Sequence, residues 1–147
     1  MSIQQFLTDI NGIAQLWATD GQFLGLLSSN PYDTNSISNF HGIYGSPHGL
    51  YSIRNLHGMY GGEHGLYSPY NLHCINPPVI FYQNQAVLIV SKNTYFQANG
   101  LPIVDPDFLV GVYAQAVSSP MDRLNQAAHD TQNHLNRSAA IIASMFQ

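Results

Sequence analysis

Three consecutive sixteen-residue units occupy residues 30–77: NPYDTNSISNFHGIYG (30–45), SPHGLYSIRNLHGMYG (46–61) and GEHGLYSPYNLHCINP (62–77). The units align without insertions, because serines recur at 36, 52 and 68 and asparagines at 39, 55 and 71. Five histidines follow alternating spacings of seven and nine residues: His41, His48, His57, His64 and His73. A fixed register of this kind indicates that one backbone conformation is repeated along the chain.

The residue types of the unit predict a chain of tight bends. A glycine follows His41, His48, His57 and His64, and glycine tolerates a positive φ, so we expect a bend at each His-Gly pair. Serine and asparagine side chains can satisfy backbone groups at the corners. If the units stack as a coil, equivalent side chains lie about 4.8 Å apart and form columns.

The predicted columns bring residues sixteen apart into contact. They are His41 with His57 and His73, His48 with His64 and Tyr32, Tyr44 with Tyr60, and Tyr51 with Tyr67. Ile37 and Ile53, together with Leu50 and Leu66, are expected to supply the apolar interior. In the alternative arrangement each half-unit is an irregular loop wrapped around the helices, and spacing alone does not distinguish the two.

The flanking segments predict helices and strands. A capping box at Ser2 and Gln5 and an apolar face that extends to Trp17 predict a helix over residues 1–20. Phe23–Leu27 is expected to be a short strand, and residues 78–92 a β-hairpin that turns at Asn84. Helices are expected over residues 105–147, the first with Asp105 as N-cap and the second from Ser119 to the C-terminus.

Together these elements predict one α+β domain over residues 1–147, with a short repeat layer, solenoid-like or looped, beside a hairpin and flanking helices. The terminal helices and the hairpin are expected to cap both ends of the repeat.

Charge is scarce along the chain. Charged residues make up 8% of the sequence, compared with about 25% in an average soluble domain. Such a surface is poorly protected against association, so we expect a homo-oligomer, formed through the C-terminal helix or the repeat surface. With four basic residues and a net charge of −4, the sequence predicts neither a nucleic-acid partner nor binding to anionic lipid. No apolar run is long enough for a membrane span, and no signal peptide is recognisable, so a cytoplasmic location is expected.

The histidine array is the candidate functional site. Neutral imidazole suits zinc, copper, nickel and iron, so His41, His48, His57, His64 and His73 are candidate metal ligands. Tyr44, Tyr60 and Cys74 are possible additional ligands. Haem is a smaller possibility, and covalent haem is excluded because the chain has no CxxCH motif. Imidazole and phenol also stack and donate hydrogen bonds, so purely structural columns are the alternative.

Leu24–Tyr113 contains LSSNPYDTNSISN, IYGSPHGLYSIRN, MYGGEHGLYSPYN, NPPVI and VDPDFL. This stretch resembles a group of uncharacterised bacterial, often cyanobacterial, proteins that have YGS-type repeats before a Pro-Pro-Val-Ile strand. The resemblance implies no activity, because that group has no established function. Tyrosine or another residue often stands at the five histidine positions in the group, so this chain departs from the pattern there.

No enzyme motif is present: the chain has no GxSxG elbow, HExxH, glycine-rich phosphate loop or paired carboxylates at a helical spacing. The sequence therefore favours a non-enzymatic repeat protein that binds a divalent transition metal through its histidines. The alternative is a structural or scaffold protein that self-assembles, in which the histidine and tyrosine columns are purely structural.

Overall fold

The computed structural model describes residues 2–97 and 100–116 of the 147-residue chain. This part contains two helices and one five-stranded sheet, which confirms the mixed α+β class. In chain order the elements are α1 (Ile3–Asp9), β1 (Gln15–Trp17), β2 (Phe23–Leu26), β3 (Val79–Tyr82), β4 (Gln85–Val90), β5 (Ile103–Val104) and α2 (Pro106–Ala116). The repeat lies between β2 and β3, where residues 27–78 form no regular helix or strand.

The sheet has the strand order β2-β1-β3-β4-β5. Its first three pairings are antiparallel, and β4 pairs with β5 in parallel. The predicted strand at Phe23–Leu27 and the predicted hairpin are both confirmed. The hairpin turns at Gln83 and Asn84, whose φ angles of 54° and 65° are those of a two-residue type I′ turn.

The helix predicted over residues 1–20 is wrong beyond Asp9. Its start is as expected, since the Ser2 hydroxyl accepts a hydrogen bond from the Gln5 N–H at 3.0 Å. Gly12, at φ 82°, then turns the chain, and Gln15–Trp17 becomes a strand that pairs on both sides, with β2 and with β3. Cross-strand pairing therefore prevailed over the helical spacing of the apolar residues.

The second helix begins where the sequence predicted. The Asp105 carboxylate accepts a hydrogen bond from the Asp107 N–H at 2.7 Å, and Pro106 is the first helical residue. This is the expected N-cap arrangement. The long helix predicted from Ser119 onward, to which one of the expected oligomer contacts was assigned, lies outside the described residues.

One hydrophobic core joins the helices, the sheet and the repeat. Fully buried side chains come from each layer: Leu7 from α1, Leu16 from β1, Tyr113 from α2, and Ile37 and Ile53 from the repeat. The Tyr113 hydroxyl donates a hydrogen bond of 2.7 Å to the Leu7 carbonyl, so the buried phenol is satisfied. Burying a leucine or isoleucine stabilises a fold by about 1.5–3 kcal/mol, so the repeat is integral to the domain.

The repeat is a continuous series of turns. In each turn the N–H of the last residue donates to the carbonyl of the first residue, with N···O distances of 2.9–3.3 Å. The last residue of one turn is also the first residue of the next. The residues at these junctions are 36, 39, 42, 46, 49, 52, 55, 58, 62, 65, 68, 71 and 74. Four steps of three residues and one of four fill each unit, which is the physical origin of the sixteen-residue period.

Serine and asparagine side chains fix this series, as predicted. Ser36, Ser52 and Ser68 are fully buried, and each hydroxyl accepts a hydrogen bond from the N–H two residues later at 2.9–3.0 Å. The side chains of Asn39, Asn55 and Asn71 each bond twice: the oxygen accepts from the histidine N–H two residues later, and the amide donates to the carbonyl six residues earlier. These bonds replace the ladder that a strand or helix would supply.

The two ends of the repeat are hydrogen-bonded to β2 and to the segment that follows β4. At the first end, Leu26 in β2 donates to the Asn35 carbonyl and accepts from the Ile37 N–H, at 2.7 and 3.1 Å. At the other end, the segment that follows β4 makes the corresponding hydrogen bonds. The Lys92 N–H donates to the Pro69 carbonyl at 2.8 Å, and the Asn93 amide donates to the carbonyl of Cys74 at 2.9 Å.

The glycines of the repeat are needed for a reason that differs from the predicted one. None of them has a positive φ; the described glycines that do are 12, 21, 25 and 100. Instead, a Cβ on Gly49 would lie 2.4 Å from the Ile43 carbonyl oxygen, and one on Gly65 would lie 2.5 Å from that of Met59. A Cβ on Gly58 would meet only side-chain atoms of Asn55, the nearest of them the amide nitrogen at 3.2 Å. Close backbone approach therefore requires glycine at some His-Gly pairs and only favours it at others.

We predict that Gly65→Ala destabilises the fold more than Gly58→Ala. The first change drives a methyl group into backbone, which costs about 1–3 kcal/mol. The second meets the Asn55 side chain at 3.2–3.3 Å, which requires a movement of only a few tenths of an ångström, and the reduced freedom of the unfolded chain partly offsets that contact. Urea unfolding followed by circular dichroism measures both changes. Equal losses for the two variants would contradict the steric explanation.

Candidate functional site

All five histidines of the array are exposed. The turns hold their backbones in place: the N–H groups of His41, His57 and His73 donate to the asparagine two residues earlier, and that of His48 donates to the Ser46 hydroxyl. The His64 side chain is 92% exposed, 3.5 Å from the Glu63 carboxylate. The repeat therefore presents its imidazoles to solvent from a backbone that is fixed.

Three of the histidines border one groove. His57, His64 and His73 line a surface depression of about 1150 Å³ with Glu63 and Lys92, whereas His41 and His48 lie outside it. Among the described residues, no three His, Cys, Asp or Glu side chains lie close enough together to hold a metal ion. Metal coordination by the array therefore stays a prediction, and three protein ligands from one copy are not in place.

The candidate additional ligands are covered, unlike the histidines. Tyr60 is 8% exposed and Cys74 is 2% exposed, and Tyr44 is half-buried. Burial and a hydrogen bond of 2.7 Å to Asp20 raise the pKa of the Tyr60 phenol to about 12. Burial also raises the pKa of the Cys74 thiol. Metals prefer the thiolate, so the structure does not prepare this thiol for coordination.

The tyrosines form one column instead of the two that were predicted. Successive ring centroids from Tyr44 through Tyr51 and Tyr60 to Tyr67 are 6.3, 6.0 and 6.0 Å apart. The column advances by half-units of seven or nine residues, so residues sixteen apart are separated by two steps and do not touch within it. By the same geometry, we do not expect His41, His57 and His73 to contact one another.

The aromatic column continues into the sheet. The ring of Phe23 lies 5.0 Å from that of Tyr44 and 5.1 Å from that of Trp17, which is in β1. Aromatic pairs at such distances stabilise a fold by about 0.5–1.5 kcal/mol beyond their buried area. The column therefore ties the inner side of the repeat to the strands.

The outer side of the repeat is apolar, which the sequence analysis missed. Ile37 and Ile53 are buried as predicted, but Leu50 and Leu66 are 65% and 55% exposed, so their assignment to the interior is wrong. Other apolar residues recur at the same period and are also exposed. We define the apolar face by the residues that are 50–75% exposed in this segment: Phe40, Ile43, Leu50, Leu56, Met59, Leu66, Leu72 and Ile75. The signal was the sixteen-residue spacing of Phe40, Leu56 and Leu72.

The two cations beside the apolar face, Arg54 and Lys92, interact with groups of their own chain. The Arg54 guanidinium lies 4.8 Å from the centre of the Phe40 ring, and burial lowers its pKa. The ammonium group of Lys92 lies 3.0 Å from the carboxylates of both Asp105 and Asp107. Both cations are therefore less available to attract an anionic partner.

No protein-family model matches the chain, and neither the curated proteins nor the solved structures that were compared with it contain a match. The resemblance to YGS-repeat proteins therefore stays a prediction. In the described part of the chain, no helix combines the length and apolar character that crossing a membrane requires.

We predict that Asp107→Asn flattens the acid side of the stability profile. Burial alone would raise the pKa of the Asp107 carboxyl, but hydrogen bonds from Lys92 and Tyr70 outweigh it and hold this pKa below its ordinary value. A lowered pKa stabilises the folded state above the ordinary aspartate pKa of about 3.9, and that contribution is lost as the pH falls through the folded value.

Thermal unfolding measured from neutral to strongly acidic pH tests this. The native chain should lose melting temperature over the acidic range, and the variant should start lower and lose less. Asp9→Asn, which removes a carboxylate from α1 instead, is the matched control and should follow the native profile. Identical profiles for the two variants would contradict the role of Asp107.

Proposed function

We propose that this protein is a non-enzymatic structural protein that self-associates through the apolar face of its repeat. The observation that carries the proposal is the set of eight large apolar side chains, each at least half exposed and arranged with the period of the repeat. Single exposed apolar residues are normal, but monomeric soluble proteins rarely expose large contiguous apolar patches. A partner that covers this face removes it from water.

A second copy of the chain fits this face better than a charged partner does. Phe40, Leu56 and Leu72 share one sixteen-residue spacing, and so do Ile43, Met59 and Ile75. Two such surfaces have the same periodicity, so the side chains of one can pack between those of the other, as in symmetric interfaces. The neighbouring cations Arg54 and Lys92 already interact with groups of their own chain. The turns beneath, wound as a short solenoid-like coil, keep the spacing rigid.

The proposal is tested by changing two exposed leucines together. Leu56→Gln and Leu72→Gln remove apolar surface that is 66% and 59% exposed, so the fold should persist and association should weaken. Sedimentation velocity of the tag-free chain over a range of concentrations should show oligomers for the native chain and monomers for the double variant. Ile13→Gln, at a site 56% exposed outside the repeat, is the control and should associate normally.

Two outcomes would contradict this proposal. A native chain that is monomeric at high concentration would remove self-association altogether. A double variant that associates as strongly as the native chain would place the contact elsewhere.

Metal binding by the histidines is the second candidate function. The observation that favours it is the shared groove of His57, His64 and His73, in which exposed imidazoles stand among apolar side chains. We propose that two copies packed by their apolar faces bring imidazoles from both chains together, so that zinc, copper or nickel completes a site that one chain lacks. Metal would then strengthen the same assembly.

Elemental analysis of tag-free protein, followed by titration with zinc, copper and nickel at two pH values, tests the metal proposal. Replacing His57, His64 and His73 by asparagine should abolish binding, whereas the same change at His41 and His48 should leave most of it. Binding should weaken below about pH 6, because a ligating imidazole must be unprotonated. Protein that carries and titrates no metal contradicts this proposal, and sedimentation in the presence of a chelator then tests the apolar contact by itself.

A further inference from the structure

A second groove lies on the face of the sheet that is turned away from the core. It has a volume of about 680 Å³, within the range of about 300–1,000 Å³ that small-molecule sites occupy. Its floor consists of two cross-strand pairs of β1 and β3, Trp17 opposite Val79 and Gln15 opposite Phe81. Side chains alternate along a strand, and Leu16, which lies between two floor residues, is buried in the core.

The side chains around this groove are uncharged. Aromatic and aliphatic groups form the floor, and amide and hydroxyl groups of Gln15, Thr19, Gln83 and Asn84 surround it. The nearby Asp20 carboxylate is occupied, because one oxygen accepts from the Gln22 N–H at 3.0 Å and the other from the Tyr60 hydroxyl at 2.7 Å. Among the described residues that line it, the groove therefore offers no counter-charge for a phosphate, a carboxylate or an amine.

The tryptophan in the floor is held in a fixed orientation. Its indole N–H donates to the Gln15 side-chain oxygen at 2.9 Å, and its ring packs against Phe23. Trp17 nevertheless stays half-exposed, and the Gln15 amide keeps its two N–H donors. An aromatic surface beside amides that donate and accept suits a sugar, since pyranose C–H groups pack on aromatic rings and hydroxyls pair with amides.

The hairpin at the edge of the groove provides an independent observation. Gln83 and Asn84 occupy the left-handed region, with φ angles of 54° and 65°, and both are exposed. Asparagine followed by glycine is the preferred pair for this type I′ turn, and a side chain such as glutamine is strained there. The turn thus places two amide side chains at the groove at a cost in stability, and strain of this kind accumulates at functional sites.

We propose that this groove binds a neutral oligosaccharide, with Trp17 as the stacking surface and with Gln83 and Asn84 as hydrogen-bonding groups at its edge. The site is separate from the apolar face of the repeat. Oligosaccharide binding and self-association are therefore measured independently, and either proposal can fail without the other.

The only tryptophan of the chain lies in this groove, so its fluorescence reports binding directly. Cellopentaose, xylopentaose and a tetramer of N-acetylglucosamine are suitable neutral probes for the full-length chain, and an oligogalacturonate is the charged counterpart. At least one neutral probe should change the emission of Trp17 in a saturable way, and the charged probe should not. Unchanged emission with every neutral probe at millimolar concentration, or equal binding of the charged one, would overturn the proposal.

The hairpin allows a variant that deletes the amide group at position 84 and shortens the side chain that carries the one at position 83, without endangering the fold. Gln83→Asn combined with Asn84→Gly supplies the preferred turn residues, so the melting temperature should rise. Isothermal titration should find the oligosaccharide bound about tenfold more weakly, as expected when the hydrogen bond of the deleted amide is lost and that of the shortened side chain is weakened. Gln85→Ser, an exposed change beside the turn, is the matched control and should bind as the native chain does. A stabilised double variant with native affinity would overturn the role of the hairpin and with it the proposed site.

Discussion

The fold depends on satisfying the backbone of a long segment that has no helix and no strand. Residues 27–78 pass beside the hydrophobic core, where an unpaired N–H or carbonyl costs as much as a lost hydrogen bond. The turns pair about one N–H in three along the chain, and the buried serine hydroxyls and the asparagine amides bind others. Because these side chains recur every sixteen residues, the same pattern of hydrogen bonds occurs in all three units.

That constraint divides the repeat into two chemically different sides. The inner side carries Ile37, Ile53 and the tyrosine column, which join the core and the sheet. The outer side carries the histidines and the apolar face. Phenol and thiol groups are thereby covered while imidazoles are exposed, so the residues that the sequence grouped as ligands are separated by the backbone between them. What remains available outside is a regularly spaced surface with few charges, which suits association better than coordination within one chain.

Much of the framework was predictable because it depends on local chemistry. The N-caps at Ser2 and Asp105, the hairpin at Asn84, and the side-chain hydrogen bonds of Ser52 and Asn55 all follow from residue types within a few positions. The errors have another origin. A sixteen-residue period shows that Ile53 and Ile37 share an environment, but it does not show that Leu50 points the other way.

The remaining differences arise from contacts between distant parts of the chain. The segment Gln15–Trp17 has helical spacing, yet it forms β1 because strands on both sides supply partners. The glycines after the histidines were expected to provide positive φ angles. The carbonyl oxygen six residues earlier, which excludes a Cβ at Gly49 and Gly65, became visible only in three dimensions. The groove that has Trp17 in its floor was missed for the same reason, since β1 and β3 are separated by the entire repeat.

The attachment of the repeat to β2 at one end and to the segment that follows β4 at the other also limits how the protein can evolve. Its first turns bond to β2 at one edge, and its last turns bond to the segment that follows β4. An open-ended array can gain or lose copies freely, because only the contacts of the terminal copy change. Here the distance between the two attachment points fixes the length of the repeat. Duplication of a single unit would therefore require a wider sheet as well.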